Sequence, residues 1–433
     1  MTTALDPVVA PLPIDLPPVE RRAVLPAGFV AGATTCGIKA SGRPDLAIVA
    51  VTGDAAPTAA VFTQNAFAAA PVLVSKSHLG SEGDPNAGLA SAVVSTSGCA
   101  NAATGAAGEA DQIAIVEHTA AALGVHADRV LCMSTGLIGT RLPVDLAVAG
   151  IHRLVPGGLS SDPPGLQAAA EALRTTDSHA KLATTTVTLP DADGLAVRAV
   201  RVSGFAKGVG MIHPSMATML AILMTDADVM PGTLHGLLHG ATSRTWNQLS
   251  IDGDTSTNDT VFLLASGGAG AGRVEPRTPA ARTLGKAIEA VARDLARQQA
   301  ADGEGATTLI TCQVSGAADD RDARAVARAI VSSSLVKAAV HGRDPNWGRL
   351  AGAAGNAEAQ LDPMRVRIAI AGQLVYDGSR GGPVSFDREA ARTAMNAPEV
   401  LFRIDLGVGD GAGEAFGCDL TEQYVIENSE YTT

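Results

Sequence analysis

Apolar residues in this chain fall into short runs separated by small and polar turns, alternating with longer stretches where they recur every three or four positions. The runs LAIVAVT, AAVFT and PVLVS, between residues 46 and 75, read as early β-strands. EADQIAIVEHTAAALG, from Glu109, reads as a helix with acidic residues in its first turn and glycine at its end. DRVLCMSTGLIG reads as a strand running into a turn of small residues, and LQAAAEALRTT as the next helix. AVRAVRVSGFAKG, MLAILMTDADV and TVFLLAS are three further strands, with the helix GTLHGLLHGATSRTW before the last of them. From Pro279 a long helix puts Leu284, Ile288, Val291 and Leu295 on one face, with Pro279 in its first turn and Gly303 at its exit. TTLITCQVSG is a strand, DDRDARAVARAIVSSSLVK a second amphipathic helix, and short elements alternate to the end. Both element types are mixed throughout, so an α/β or α+β layered fold is expected. No internal repeat or clear linker marks a domain boundary.

Composition narrows the function classes. The 433 residues are 46% hydrophobic and 18% charged, as in a well-buried globular protein, while aromatics supply only 3%, leaving Ala, Val, Leu and Ile to build the core. A formal charge of −12 without a block of Lys and Arg argues against nucleic acid as a partner. The five cysteines, Cys36, Cys99, Cys132, Cys312 and Cys418, have no metal-like spacing and suit a reducing, cytoplasmic location. MTTALDPVVAPLPIDLPPVERR carries prolines where a secretory leader would be apolar, so residues 1–24 are read as a flexible, partly polyproline extension. No apolar run approaches the roughly 20 residues of a membrane span.

Several motifs invite readings that their residues do not support. HGLLH spaces His235 and His239 like zinc ligands but lacks the adjacent Glu and a third ligand. DGDTSTNDTVFL opens like a calcium loop at Asp252, Asp254 and Ser256, then has Thr257 where Gly is needed and Leu263 where Glu belongs. GGAGAG (267–272) and GVGDGAG (407–413) resemble phosphate loops, yet neither is followed by Lys-Ser/Thr, and a hairpin turn accounts better for the second. No metal or redox cofactor is expected.

KGVGMIHPSMATMLAILMTDADV is different. It surrounds Thr218 with residues that let backbone approach a reacting group. A hydroxyl nucleophile needs a base, and the threonine's own α-amine can serve once the Ala217–Thr218 bond is cut. An N-to-O acyl shift, in which the Thr218 hydroxyl attacks its own upstream carbonyl, followed by hydrolysis of the ester, would free that amine.

GIKASGRPDLAI, AAPVLVSKSHL, MSTGLIGTRLPVD, RTTDSHAKLA, AKGVGMIHPSMATML, DGDTSTNDT, DGEGATTLI, DPNWGR and ENSEYTT run in the order in which they occur in the ornithine acetyltransferase family. The chain resembles that family, the bifunctional glutamate N-acetyltransferases of arginine biosynthesis, from about Gly28 to its last residue. The resemblance implies an N-terminal-nucleophile-like fold made of two subunits from one precursor, an α chain (25–217, after the extension) and a β chain (218–433). It implies Thr218 as nucleophile, and Thr135 with Gly136 as the oxyanion hole. A hydroxyl and a backbone N–H aimed at the developing charge are what acyl transfer needs. Thr175, Lys207, Thr218, Glu304, Asn428 and Thr433 match its substrate-binding positions. The small-molecule substrates implied are N-acetylornithine and glutamate, with acetyl-CoA as a further donor in some members, and the assembly implied is α2β2. The chain departs from the family's pattern at Thr96, Cys99, Ala338 and Arg343. Those departures keep open a paralogue acting on a related amino acid in specialised, β-lactam-type metabolism. An N-terminal-nucleophile amidase or aminopeptidase, with water as acceptor, and an uncleaved ligand-binding relative are the remaining alternatives.

Overall fold

The computed structural model describes residues 9–80, 87–190, 196–213 and 219–430. They form three sheets. The first is four-stranded, in the order Phe29–Thr34, Leu46–Val51, Ala92–Cys99 and Val130–Leu137. The second is six-stranded, in the order Leu89–Ala90, Ala56–Phe62, Thr260–Ala265, Leu220–Thr225, Ala196–Lys207 and Lys181–Pro190.

Period-two side-chain alternation explains why the strands are apolar on both faces. In Leu46–Val51, Ala47 and Val49 enter a core shared by these two sheets, while Leu46, Ile48 and Ala50 enter a core under helices. Leu131 and Met133 likewise face the shared core, and Val130 and Cys132 the helical one. On the second sheet, Ile222, Met224, Phe262 and Leu264 point inward, and Ala221, Leu223, Val261 and Leu263 outward. The helices Gly105–Leu123 and Val144–Leu154 cover the first sheet, and Pro231–Arg244 and Pro279–Ala301 cover the second. The result is a helix–sheet–sheet–helix sandwich, as the layered expectation required.

The third sheet contains Leu309–Ala317 flanked by Glu399–Asp405 and Gly411–Cys418 and is packed against the helices Asp320–Ser332, Ser334–His341 and Trp347–Gly355. The long helix from Pro279 is capped by the Thr278 hydroxyl, which accepts the Ala281 N–H, and buries the four predicted residues.

Four expectations change. PVLVS is helical, within Ala70–His78: Pro71 sits in the helix's first turn, and a short apolar run does not by itself distinguish strand from buried helix. The helix containing EADQIAIVEH starts at Gly105, so Glu109 and Asp111 lie beyond its first turn. GVGDGAG is not a hairpin turn, because the strands on either side of it both pair with Leu309–Ala317, which lies between them. Residues 9–22, expected within a flexible extension, are held against the body. Val9 is buried, Glu20 bridges Thr184 through backbone hydrogen bonds, and Arg21 pairs with Asp294. Among the described residues no helix is long and apolar enough to cross a membrane.

Candidate active site

Thr135, Gly136, Thr175, Lys207, Glu304 and Asn428 line one cavity of about 130 Å³, although they come from separate strands, loops and a helix. Ala217, Thr218 and Thr433 lie outside the described residues. Lys207 ends the strand Ala196–Lys207, Glu304 follows the long helix, and Asn428 sits on Glu422–Glu430.

Thr135 and Gly136 lie within the strand Val130–Leu137, just before its last residue, rather than occupying a turn beyond it. Their partner strand carries a bulge, with Cys99 registered to both Thr135 and Leu137. Gly136 has φ of 131°, and a Cβ there would stand 2.3 Å from the Gly98 carbonyl carbon, so only glycine fits. Lys207 is buried and its Nζ donates to Thr135 Oγ1 at 3.1 Å. That bond occupies an acceptor site of the hydroxyl and leaves its single O–H free to donate into the cavity. Burial lowers the Lys207 pKa, and the carboxylates of Asp177, Glu304 and Asp259 partly offset that.

Glu304 is held by two donors, Thr176 Oγ1 at 2.8 Å and Asn428 Nδ2 at 3.0 Å. Gly210 lies against it: a Cβ at 210 would meet Glu304 Oε2 at 2.3 Å. Asp252, which also lines the cavity, accepts the N–H groups of Met211 and Ile212. Met211 has φ of 54°, uncommon for a non-glycine residue. Asp252 therefore braces the chain where it leads towards residues 214–218. Burial raises the Asp252 pKa against those hydrogen bonds.

Sequence reading missed the groups that hold this arrangement. Asp177 is buried, and its carboxylate accepts from Lys181 Nζ at 2.8 Å, Gly208 N–H at 2.9 Å and Thr175 N–H at 3.3 Å. One side chain thus ties the Thr175 loop to the residue after Lys207. Burial alone would raise the Asp177 pKa, but Lys181 and Lys207 beside it hold it at about 2. Lys181 also donates to Asp302 at 2.6 Å. The RTTDSHAK motif contains both partners, and their four-residue separation was the available signal. Asn258 donates through Nδ2 to the Ala100 carbonyl at 2.7 Å and the Ser134 carbonyl at 2.8 Å, tying its loop to the residue before Thr135. The next residue, Asp259, is fully buried and accepts the Met219 N–H at 2.8 Å, one residue after Thr218. Burial raises its pKa well above the usual carboxylate range.

Asn258→Ala, which deletes both carbonyl contacts, is expected to lower kcat by roughly 10- to 100-fold with KM nearly unchanged, since it loosens the strand end that carries Thr135 and Gly136, the expected oxyanion donors. Steady-state kinetics checks this; a change confined to KM would remove Asn258 from any role in setting Thr135 and Gly136.

The residues that depart from the family's pattern stand off the cavity. Thr96, Cys99, Ala338 and Arg343 are absent from its lining; Cys99 donates to the Thr140 carbonyl and Arg343 to Thr308 and the Val340 carbonyl. Among the described residues no group of three or more His, Cys, Asp or Glu is placed to hold a metal ion.

Comparison with known proteins follows the same line. The ArgJ family model matches residues 30–433. An arginine biosynthesis bifunctional protein ArgJ from Thermus thermophilus is 46% identical over 409 residues, covering 94% of this chain and 99% of the relative. A crystal structure of an arginine biosynthesis bifunctional protein ArgJ from Bacillus halodurans is 42% identical, with a TM-score of 0.46, over 48% of this chain and 96% of that one. The Mycobacterium tuberculosis ornithine acetyltransferase, solved with ornithine, is 39% identical, with a TM-score of 0.39, over 46% of this chain and 98% of that one.

Proposed function

The chain belongs to the ArgJ family, and from that premise we propose that it carries an acetyl group from N-acetylornithine to glutamate through an ester on Thr218. Cleavage between Ala217 and Thr218 supplies the catalytic amine, and the two products, residues 1–217 and 218–433, remain together as an α2β2 enzyme. The observation that carries this reading is the convergence of six separately matched residues on one cavity.

The Thr218 hydroxyl attacks the acetyl carbonyl of N-acetylornithine and passes its proton to the Thr218 amine. The oxygen of the tetrahedral intermediate takes the Thr135 O–H and the Gly136 N–H. Lys207 supports this by donating to Thr135 Oγ1, which leaves the hydroxyl proton available to the oxyanion. Collapse breaks the C–N bond, and the amine returns its proton to the departing ornithine. Glutamate's amine then attacks the ester, giving N-acetylglutamate and restoring Thr218. Glu304, fixed by Thr176 and Asn428, meets the substrate's ammonium, and Lys207 meets its carboxylate.

A panel of donors (N-acetylornithine and acetyl-CoA) and acceptors (glutamate, related amino acids and water) tests the reading. Acetylglutamate formed from N-acetylornithine supports it. Free acetate as the sole product would favour the amidase instead, and preference for another acceptor would favour the paralogue. Acetyl-CoA is the alternative donor, and no other cofactor is needed. Lys207→Ala is expected to raise KM for N-acetylornithine by roughly tenfold or more, through loss of a charge-assisted contact. An unchanged KM with lowered kcat would confine Lys207 to the support of Thr135.

A further inference from the structure

The helix Asp320–Ser332 spends one face, Ala323, Val326, Ala327 and Ile330, on the core of the third sheet. On another face stand Arg321, Arg324 and Arg328, three and four residues apart, so their side chains stack along one side of the helix. They line a cavity of about 390 Å³, within the size range of small-molecule sites. His213, Gln248 and the segment Asn356–Glu358 form its other walls.

None of the three arginines makes a hydrogen bond or ion pair to another described residue. The contrast with their surroundings is sharp. Arg293 pairs with Glu414, Arg297 with Glu399 and Arg244 with Glu289, in a chain with 44 acidic residues against 32 Lys and Arg. Like charges at this spacing repel one another on a helix. Arg328 is half-buried, and burial, then Arg324, lower its pKa; Glu358, exposed at the rim, offsets this in part. Three unpaired guanidinium groups around one hollow are the donor set that recognises an oxyanion.

The cavity also shares a wall with the candidate active site. Met211 lines the first cavity and His213 the second, with Ile212 between them. Asp252 grips the first two through their N–H groups, and His213 Nδ1 lies 3.2 Å from Ser250 Oγ. This short segment leads directly to residues 214–218.

We propose that this second cavity is a regulatory site for a small, multiply charged oxyanion, bound by Arg321, Arg324 and Arg328 and coupled to the active site through Met211–His213. The ligand's charged groups are phosphates or carboxylates, and its occupancy alters catalysis by shifting the shared wall. The coupling rests on the acetyl-transfer reading; the binding does not.

Isothermal titration of the purified, assembled protein with inorganic pyrophosphate, and separately with citrate, tests the site. Saturable binding of one ligand per chain is expected, weakened at least about tenfold in Arg324→Gln/Arg328→Gln and unchanged in Arg282→Gln, which lies outside the cavity. Tighter binding of pyrophosphate assigns phosphate as the recognised group, and tighter binding of citrate assigns carboxylate. No saturable binding of either probe up to about 10 mM, or equal binding by the double variant, overturns the site. Circular dichroism of that variant verifies that it is folded. Saturating probe should change the acetyl-transfer rate of the wild type at least twofold and leave the double variant's rate alone; binding without any rate change overturns the coupling.

Discussion

Thr218→Ala is expected to purify as a single uncut chain of about 43.6 kDa that transfers no acetyl group. Two separate losses produce this outcome. The acyl shift proposed to open the Ala217–Thr218 bond needs the side-chain hydroxyl, and without the cut residue 218 has no free α-amine to act as base. Removal of a covalent nucleophile costs enzymes of this chemical type on the order of 10⁴- to 10⁶-fold in rate, which takes acetyl transfer below detection in ordinary assays. Intact-mass spectrometry is the appropriate readout, because a gel would hide products of 217 residues and 433 − 217 = 216 residues as one band. Wild-type protein should give a second chain beginning with Thr218. Thr218→Ser keeps a hydroxyl and an amine, so it should still be cut and retain measurable transfer. Normal processing of the alanine variant would end the self-cleavage mechanism, and a wild-type chain that stays whole yet transfers acetyl would end the role of the freed amine.

The features of the molecule that could be read beforehand are those set by local pattern. Leu220–Thr225 and Thr260–Ala265 are almost wholly apolar because each of their faces enters a different core, and their brevity between turn residues favours strand over helix. Ala70–His78 was misread because five residues are too few for its period to emerge, and its apolar side chains pack against a neighbouring helix and strand rather than in a ladder. The GVGDGAG connection was misread because the insertion of Leu309–Ala317 between its flanking strands is a long-range pairing, invisible in the loop itself. The site divides in the same way. Thr135, Gly136, Thr175, Lys207, Glu304 and Asn428, which line one cavity, could be singled out as candidates because each sits in a distinctive family motif. Asp252 was noticed only as a failed calcium ligand, and its grip on Met211 and Ile212 spans about 40 residues of sequence. Asp302 is 121 residues from Lys181, and Asn258 is 124 from Ser134. No spacing rule reaches that far.

Lys181→Met is expected to destabilise the folded protein by about 3–5 kcal/mol, the penalty for leaving buried charge without its partner. Methionine matches lysine's length, so the effect reports lost charge rather than a cavity. Lys181 is 0% exposed and bridges Asp177 at 2.8 Å and Asp302 at 2.6 Å, so its removal leaves two carboxylates facing an apolar side chain. Asp302→Asn added to that variant removes one of the two stranded charges and should recover part of the loss. The pH dependence follows from the sign of the Asp177 shift. In the wild type its pKa is held at about 2, below the ordinary 3.8, so the folded state binds fewer protons there than the unfolded chain does. Its contribution is therefore complete above about pH 4 and is lost as the pH falls towards 2. In Lys181→Met burial dominates and pushes the Asp177 carboxyl upward, so protonation relieves the variant. The gap in stability between wild type and variant should then be widest near pH 7 and narrow on acidification, as followed by urea unfolding at several pH values. A gap that stays constant would mean that Lys181 stabilises by packing alone. In that case Asp177 would still tie Thr175 to Gly208, but through its backbone contacts and without help from the buried cation.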